Sequence, residues 1–307
     1  MPAMIVGLLF AAVCGLGDRV PLGLDIYMPV PEQNPLTPES VARGRQLFFD
    51  RRLSRDNSTS CATCHDPDHG FAGERTVAIG VFGRKGARNA PALINRGYGT
   101  IFFWDGRERS LEQQVLLPIV HPDEMDLRLE EAERRTGFPR AEIARALASY
   151  VRSIRSGGSR FDRFVNGDSL ALSEIERKGL ELFRGKANCV ACHVGTSFTD
   201  EEFHNTGVAW REGRLSDLGR AAVTGSVEHR GAFKTPTLRE VARTAPYMHD
   251  GSLATLDDVI AFYDRGGNPN PQLDSEIRPL HLTPSEKTTL IAFLRSLSGH
   301  ITEGCSR

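Results

Sequence analysis

The sequence has almost no net charge, few strand signals, no long apolar run and few cysteines placed for disulfides. Its 38 basic and 39 acidic residues nearly cancel, leaving a net charge of -1. That argues against a basic footprint for nucleic acid, and the cations are nearly all arginine. The longest apolar stretch, residues 3–16 of MPAMIVGLLFAAVCGLGDRV, is too short to span a bilayer. It resembles the core of a secretory signal, although no Lys or Arg precedes it. Residues 1–18 are therefore expected to be a signal segment, and the chain to be exported to the periplasm. Cys14 admits a lipid anchor, but Ala-Ala-Val before it matches a lipobox poorly. No later segment offers a transmembrane run. Of six cysteines, four fall in two C-x-x-C-H units. Cys14 is expected to leave with the signal and Cys305 lies in an exposed-looking tail, so no disulfide framework is expected.

What is present is a repeat. Cys61-x-x-Cys64-His65 returns as Cys189-x-x-Cys192-His193, 128 residues later (189 − 61). A helix of one character precedes each unit. In the first, 37-TPESVARGRQLFFD-50, Thr37 is the N-cap and Pro38 the first helical residue. In the second, 173-SEIERKGLELFRG-185, Ser173 and Glu176 form a capping box. Both contain basic-Gly-x-x-Leu-Phe, at Arg43–Phe48 and Lys178–Phe183. Apolar residues at helical spacing mark a helix over 141–154, and Thr283 with Glu286 opens a helix over 283–299. The Gly- and Ser-rich segment 155–169 suggests a boundary. The expected architecture is mostly α, with long loops. Two c-type cytochrome-like haem domains are expected, an N-terminal one over 19–160 and a C-terminal one over 161–307.

Three chemistries compete for C-x-x-C-H. A structural zinc site needs four ligands, with a second pair close by. A thioredoxin-like motif expects a βαβ context that is missing. Covalent haem c uses the pattern as it stands: two thiols add to the vinyl groups and the adjacent histidine ligates the iron. Two covalently bound haems are therefore expected, on Cys61, Cys64 and His65, and on Cys189, Cys192 and His193.

Further motifs carry a resemblance to the bacterial dihaem cytochrome c peroxidases, including the MauG branch. They are 46-QLFFDRRLSRDNSTSCATCH-65, 88-RNAPALIN-95, 103-FWDGR-107, 123-DEM-125 and 235-TPTLREVARTAPYMHDGSLATL-256. The resemblance implies a peroxide-reactive N-terminal haem and an electron-transfer C-terminal haem. Glu124 matches the distal glutamate that moves protons during peroxide cleavage, and a confined carboxyl suits both acid and base roles. Gln114 and Pro118 match pocket positions. His121 lies near Glu124 in sequence, a place equally suited to a solvated loop histidine. Trp104 matches the tryptophan between the haems, although a tryptophan in this setting also serves as core. Asn89, Thr244 and Pro246 match an interdomain calcium site, where hard oxygen ligands are needed.

Two departures from the peroxidase pattern matter. The residue after 77-VAIG-80, a ligating histidine in many such enzymes, is Val81. Valine cannot bind iron, so the first haem is expected to be open without reductive activation. His69 is too close to His65 to reach its distal face. At the second haem the methionine position carries Tyr263, as in the MauG branch. A phenolate favours ferric iron and higher oxidation states. Met248 is the rival ligand. Three functions follow. The first is a peroxidase forming a high-valent state shared over two haems, with hydrogen peroxide and a small periplasmic electron donor as partners. The second is MauG-like oxidation of a residue, such as Trp, on a protein substrate. The third is an electron carrier without catalysis, for which an open pocket has no use.

Overall fold

Glycines set how the helices meet. In the computed structural model, which describes residues 20–305, the two basic-Gly-x-x-Leu-Phe segments lie in the helices Pro38–Phe48 and Glu174–Arg184. A Cβ on Gly44 would sit 1.9 Å from the Ala146 carbonyl oxygen, and one on Gly179 would sit 2.2 Å from that of Thr289. The first helix therefore touches the backbone of Arg140–Ser153, and the second touches that of Pro284–Arg295. The phenylalanine four residues on is buried in each case. Phe48 meets Tyr150 and Phe183 meets Phe293, both at 5.0 Å between ring centroids. Each such ring contributes about 1.5–3 kcal/mol by leaving water. Substituting Gly179→Ala is expected to cost about 1–3 kcal/mol of stability by forcing the two helices apart, read as a lower denaturation midpoint.

The caps form as the residue order implies. Thr37 accepts the Ser40 amide, and Ser173 with Glu176 and Thr283 with Glu286 form capping boxes. The apolar residues separate into two clusters. One runs from Val41 to Ile154 and the other from Leu172 to Leu297. The Gly-Ser stretch between them is ordered: Ser156, Ser159 and Asp162 are buried. Asp162 pairs with Arg239 at 2.8 Å, both side chains being 1% exposed. Arg239 also donates to the carbonyls of Thr196 and Gly23.

Strand is confined to three two-stranded antiparallel pairs among the described residues. Arg155–Gly157 pairs with His300–Thr302, which returns the chain end to the first cluster. Cys305, expected in an exposed tail, is instead half-buried against that cluster and disulfide-bonded. Long loops carry most of the rest, so the architecture is mostly α, with two cytochrome-like units. No helix among the described residues is long and apolar enough to cross a membrane. The expected signal segment and Cys14 lie outside those residues.

Candidate active site

Each C-x-x-C-H unit closes on its own helical turn. The amides of His65 and His193 donate to the carbonyls of Cys61 and Cys189, both at 2.9 Å. The imidazole Nδ1 then donates to a carbonyl farther on: His65 to Phe71 at 3.3 Å and His193 to Phe198 at 2.9 Å. Both phenylalanines adopt left-handed backbone, with φ of 56° and 52°. Fixing Nδ1–H in this way leaves the Nε2 lone pair for a metal. Burial lowers both imidazoles, His65 to about 4, so they stand neutral as iron ligands must. Burial pushes the thiols up, Cys61 and Cys189 to about 12 and Cys64 to about 11. Neutral sulfurs of this kind suit thioether bonds, which need no standing thiolate.

A single cavity of about 1150 Å³ connects the two units. Cys64, His65, Gln114, Pro118, Glu124 and Trp104 line one part; Cys189, Cys192, His193, Met248 and Tyr263 line the other. Its donors and size fit two covalently held haems.

Val81 is fully buried and is not one of the residues lining the cavity; it sits behind the first side's wall, where its amide donates to the Glu124 carbonyl at 2.8 Å. A Cβ on Gly80 would lie 2.2 Å from the Asp123 carbonyl oxygen, so the 80–81 loop rests on the 123–124 backbone. Burial raises the Glu124 carboxyl above its ordinary value, against His121 and Arg107, which lower it. His121 Nδ1 stands 3.8 Å from Glu124 Oε1.

On the second side, Tyr263 is carried by the helix Leu256–Asp264. Burial pushes its phenol up, so a phenolate there requires a facing cation. Met248 reaches the same cavity from a strained turn, at φ 74°.

The repeat extends well past the haem motifs. Phe102 bridges Glu108 as Tyr247 bridges Leu253, and Phe103, Gly106, Met248 and Gly251 all have positive φ. Ser110 caps a helix at Leu111 as Thr255 caps one at Leu256. These pairs share one offset of 145 (256 − 111), which aligns Trp104 with His249, Gln114 with Val259 and Pro118 with Tyr263. The spelling that reveals it, 102-FFWDG-106 against 247-YMHDG-251, is in the sequence but needs the turns to give it weight.

At the junction, Trp104 Nε1–H donates to the Asn89 carbonyl at 2.9 Å, and the Asn89 amide donates to the His249 carbonyl at 2.7 Å. The His249 ring stacks on Phe233, with centroids 3.6 Å apart. Asn89 Nδ2 donates to the Arg75 carbonyl at 2.7 Å. Among the described residues no hydrogen bond falls on Asn89 Oδ1 or on the carbonyls of Thr244 and Pro246, all of which line the cavity. Hard oxygens left open in this way suit calcium. His69 Nε2 faces the Ala245 carbonyl, within the same turn. His204 was not anticipated. It lies between Asp200 and Asp274 at 3.0 and 2.6 Å, beside Cys192.

Known proteins resemble the chain throughout. The family described as di-haem cytochrome c peroxidase matches residues 38–141. The methylamine utilization protein MauG of Methylorubrum extorquens is 41% identical, over 88% of this chain and 81% of its own length. The cytochrome c551 peroxidase of Nitrosomonas europaea is 31% identical, over 97% of this chain and 90% of its own. The crystal structure of a MauG-like protein associated with microbial copper homeostasis aligns with a TM-score of 0.82 at 31% identity, covering 90% of this chain and 95% of that one.

Proposed function

The chain belongs to the dihaem cytochrome c peroxidase and MauG family and is a peroxide-using oxidoreductase, and we propose that it works at one open and one closed haem in the periplasm. The observation that carries this reading is the aligned pair Pro118 and Tyr263. In the 145-residue register a proline without a donor on the first side matches a phenol on the second.

Cys61, Cys64 and His65 would hold the first haem, and Val81, matching a position that carries a ligating histidine in many dihaem peroxidases, offers no donor that would have to be displaced before peroxide binds. Bound haem supplies the iron that accepts peroxide oxygen and holds oxidising equivalents. Glu124 takes the proton from the near peroxide oxygen and returns it to the leaving oxygen. Its raised pKa and its place on the cavity wall suit both halves of that transfer. Gln114 and Pro118 shape the pocket. Trp104, on the wall of the cavity that connects the two C-x-x-C-H units, would carry oxidising equivalents between bound haems. Cys189, Cys192 and His193 would hold the second haem, where the Tyr263 phenol would serve as a hard donor favouring higher oxidation states, with Met248 as the alternative ligand. Asn89, Thr244 and Pro246 would hold calcium at the junction, where the ion would tie the two units together.

A small periplasmic redox protein is the electron source in the peroxidase reading. The hard phenol donor at Tyr263 favours a second reading, in which the oxidising equivalents pass to a residue, such as Trp, of a protein substrate. EPR and optical spectra of the ferric holoprotein, followed by one equivalent of peroxide without reductant, test the scheme. One high-spin and one low-spin haem, with direct reaction, are expected, and Tyr263→Met should alter the low-spin signature. Two low-spin haems inert to peroxide until half-reduced would overturn the open-site reading.

A further inference from the structure

We propose that His121 is the proton entry point of the peroxide pocket, passing protons from solvent to Glu124 by exchanging one hydrogen bond for another at Nδ1. The inference rests on the peroxide-using reading of the Glu124 pocket and deepens it.

The loop after Val120 holds the imidazole between two partners. Its backbone is pinned, because the His121 carbonyl accepts the amides of Glu124 at 3.1 Å and Asp126 at 3.0 Å. Its Nδ1 accepts the Asp123 amide at 3.2 Å. An atom that accepts carries its lone pair there, so the neutral ring holds its proton on Nε2. The same Nδ1 lies 3.8 Å from Glu124 Oε1, too far for a hydrogen bond but within reach of a small side-chain rotation. Both residues line the haem cavity, and the His121 side chain is 45% exposed against 30% for Glu124. The imidazole is thus the more solvent-facing member of the pair.

The neighbouring charges are engaged elsewhere. Asp126 is held by Arg55 and Arg84 at 2.9 and 3.0 Å, and Arg84 also donates to the Pro122 carbonyl. Arg107 grips Asp105 at 2.8 Å. Asp123 offers His121 its amide. Among the described residues the Glu124 carboxyl makes no hydrogen bond, and its one ion-pair contact is His121.

The overall reaction requires a supply of protons. Reducing one peroxide to two waters consumes two protons and two electrons, the electrons coming from a one-electron donor. Glu124 returns the proton it takes during O–O cleavage, so it ends unchanged and brings in nothing. In the proposed relay a solvent proton bonds to Nδ1 and displaces the Asp123 amide. The imidazolium turns to Glu124, the N–H bond breaks and an O–H bond forms on the carboxylate. Nδ1 then takes the Asp123 amide again, with Nε2–H kept throughout. Histidine suits such transfer near neutral pH.

The test uses the two-haem holoprotein with hydrogen peroxide and ABTS as reductant. His121→Ala removes the relay; His121→Gln keeps an acceptor for the Asp123 amide and cannot carry the proton. At a pH high enough for Glu124 to be ionised in parent and variants alike, both variants are expected to react with the first equivalent of peroxide at the wild-type rate. Both should turn over about 10-fold more slowly in steady state, with a larger solvent deuterium isotope effect. Added phosphate buffer at constant ionic strength should restore much of the lost rate. Unchanged turnover, or a loss that buffer does not relieve and that equally slows the first peroxide reaction, overturns the relay. A wild-type holoprotein that consumes no peroxide would instead overturn the underlying function, so the two failures are distinguishable.

Discussion

Glu124→Gln is expected to reduce peroxide turnover by about 10²- to 10⁴-fold, the range typical of losing a positioned general acid or base. Glutamine keeps the volume and a polar tip but cannot take a proton from the near oxygen of peroxide. The substitution should leave haem content and the ferric spectra unchanged, because among the described residues no hydrogen bond or ion pair joins either proximal histidine to residue 124. It should not weaken the fold at neutral pH either. Burial raises the Glu124 pKa above its unfolded value, so its contribution to stability is present at low pH and lost as pH rises through the folded pKa. A neutral amide escapes that loss. In the parent enzyme the rate of the peroxide step should rise with pH as the carboxylate forms; in the variant that limb should disappear. Stopped-flow traces of the first peroxide reaction across pH decide the point. A variant with the parent's rate and pH limb would remove Glu124 from the proton transfer.

The largest stability effect is expected away from the haems. Arg239→Met should destabilise the protein by about 3–5 kcal/mol, the usual cost of stranding one partner of a buried ion pair. Asp162 would keep a carboxylate that is 1% exposed, with only the Ser159 hydroxyl and amide bound to it among the described residues. The carbonyls of Gly23 and Thr196 would lose their donor as well. Adding Asp162→Asn should recover part of the loss, because the two residues act as a unit. Chemical denaturation of the single and double variants measures both quantities. A single variant within about 1 kcal/mol of the parent would show that the pair contributes little.

The parts of this molecule legible in its sequence are those written by local rules. Thr37, Ser173 and Thr283 announce helix starts because a capping side chain and its target amide are three residues apart. The haem attachment units are legible for the same reason, since their chemistry is complete within five residues. The glycines at 44 and 179 were visible as a repeat, but not their purpose, which depends on carbonyls 102 and 110 residues away (146 − 44 and 289 − 179). The Arg239–Asp162 pair, the return of His300–Thr302 to the first cluster and the linkage of Trp104 through Asn89 to His249 are also long-range. Nothing near any of these residues signals its partner. Cys305 was misread for this reason: a tail looks exposed until the strand that carries it is seen to pair.

The 145-residue register bears on how such a protein can change. The two halves share the bridged turns Phe102–Glu108 and Tyr247–Leu253 and the helix starts at Leu111 and Leu256, and this register aligns residue 118 with residue 263. With Tyr263 as the proposed ligand, a single codon at either place would add or remove an iron ligand. Redox character in this scaffold is therefore cheap to vary, whereas the inherited architecture that presents it is not. Diversification should be read first at such equivalent pairs, where small edits to one copy leave its twin intact.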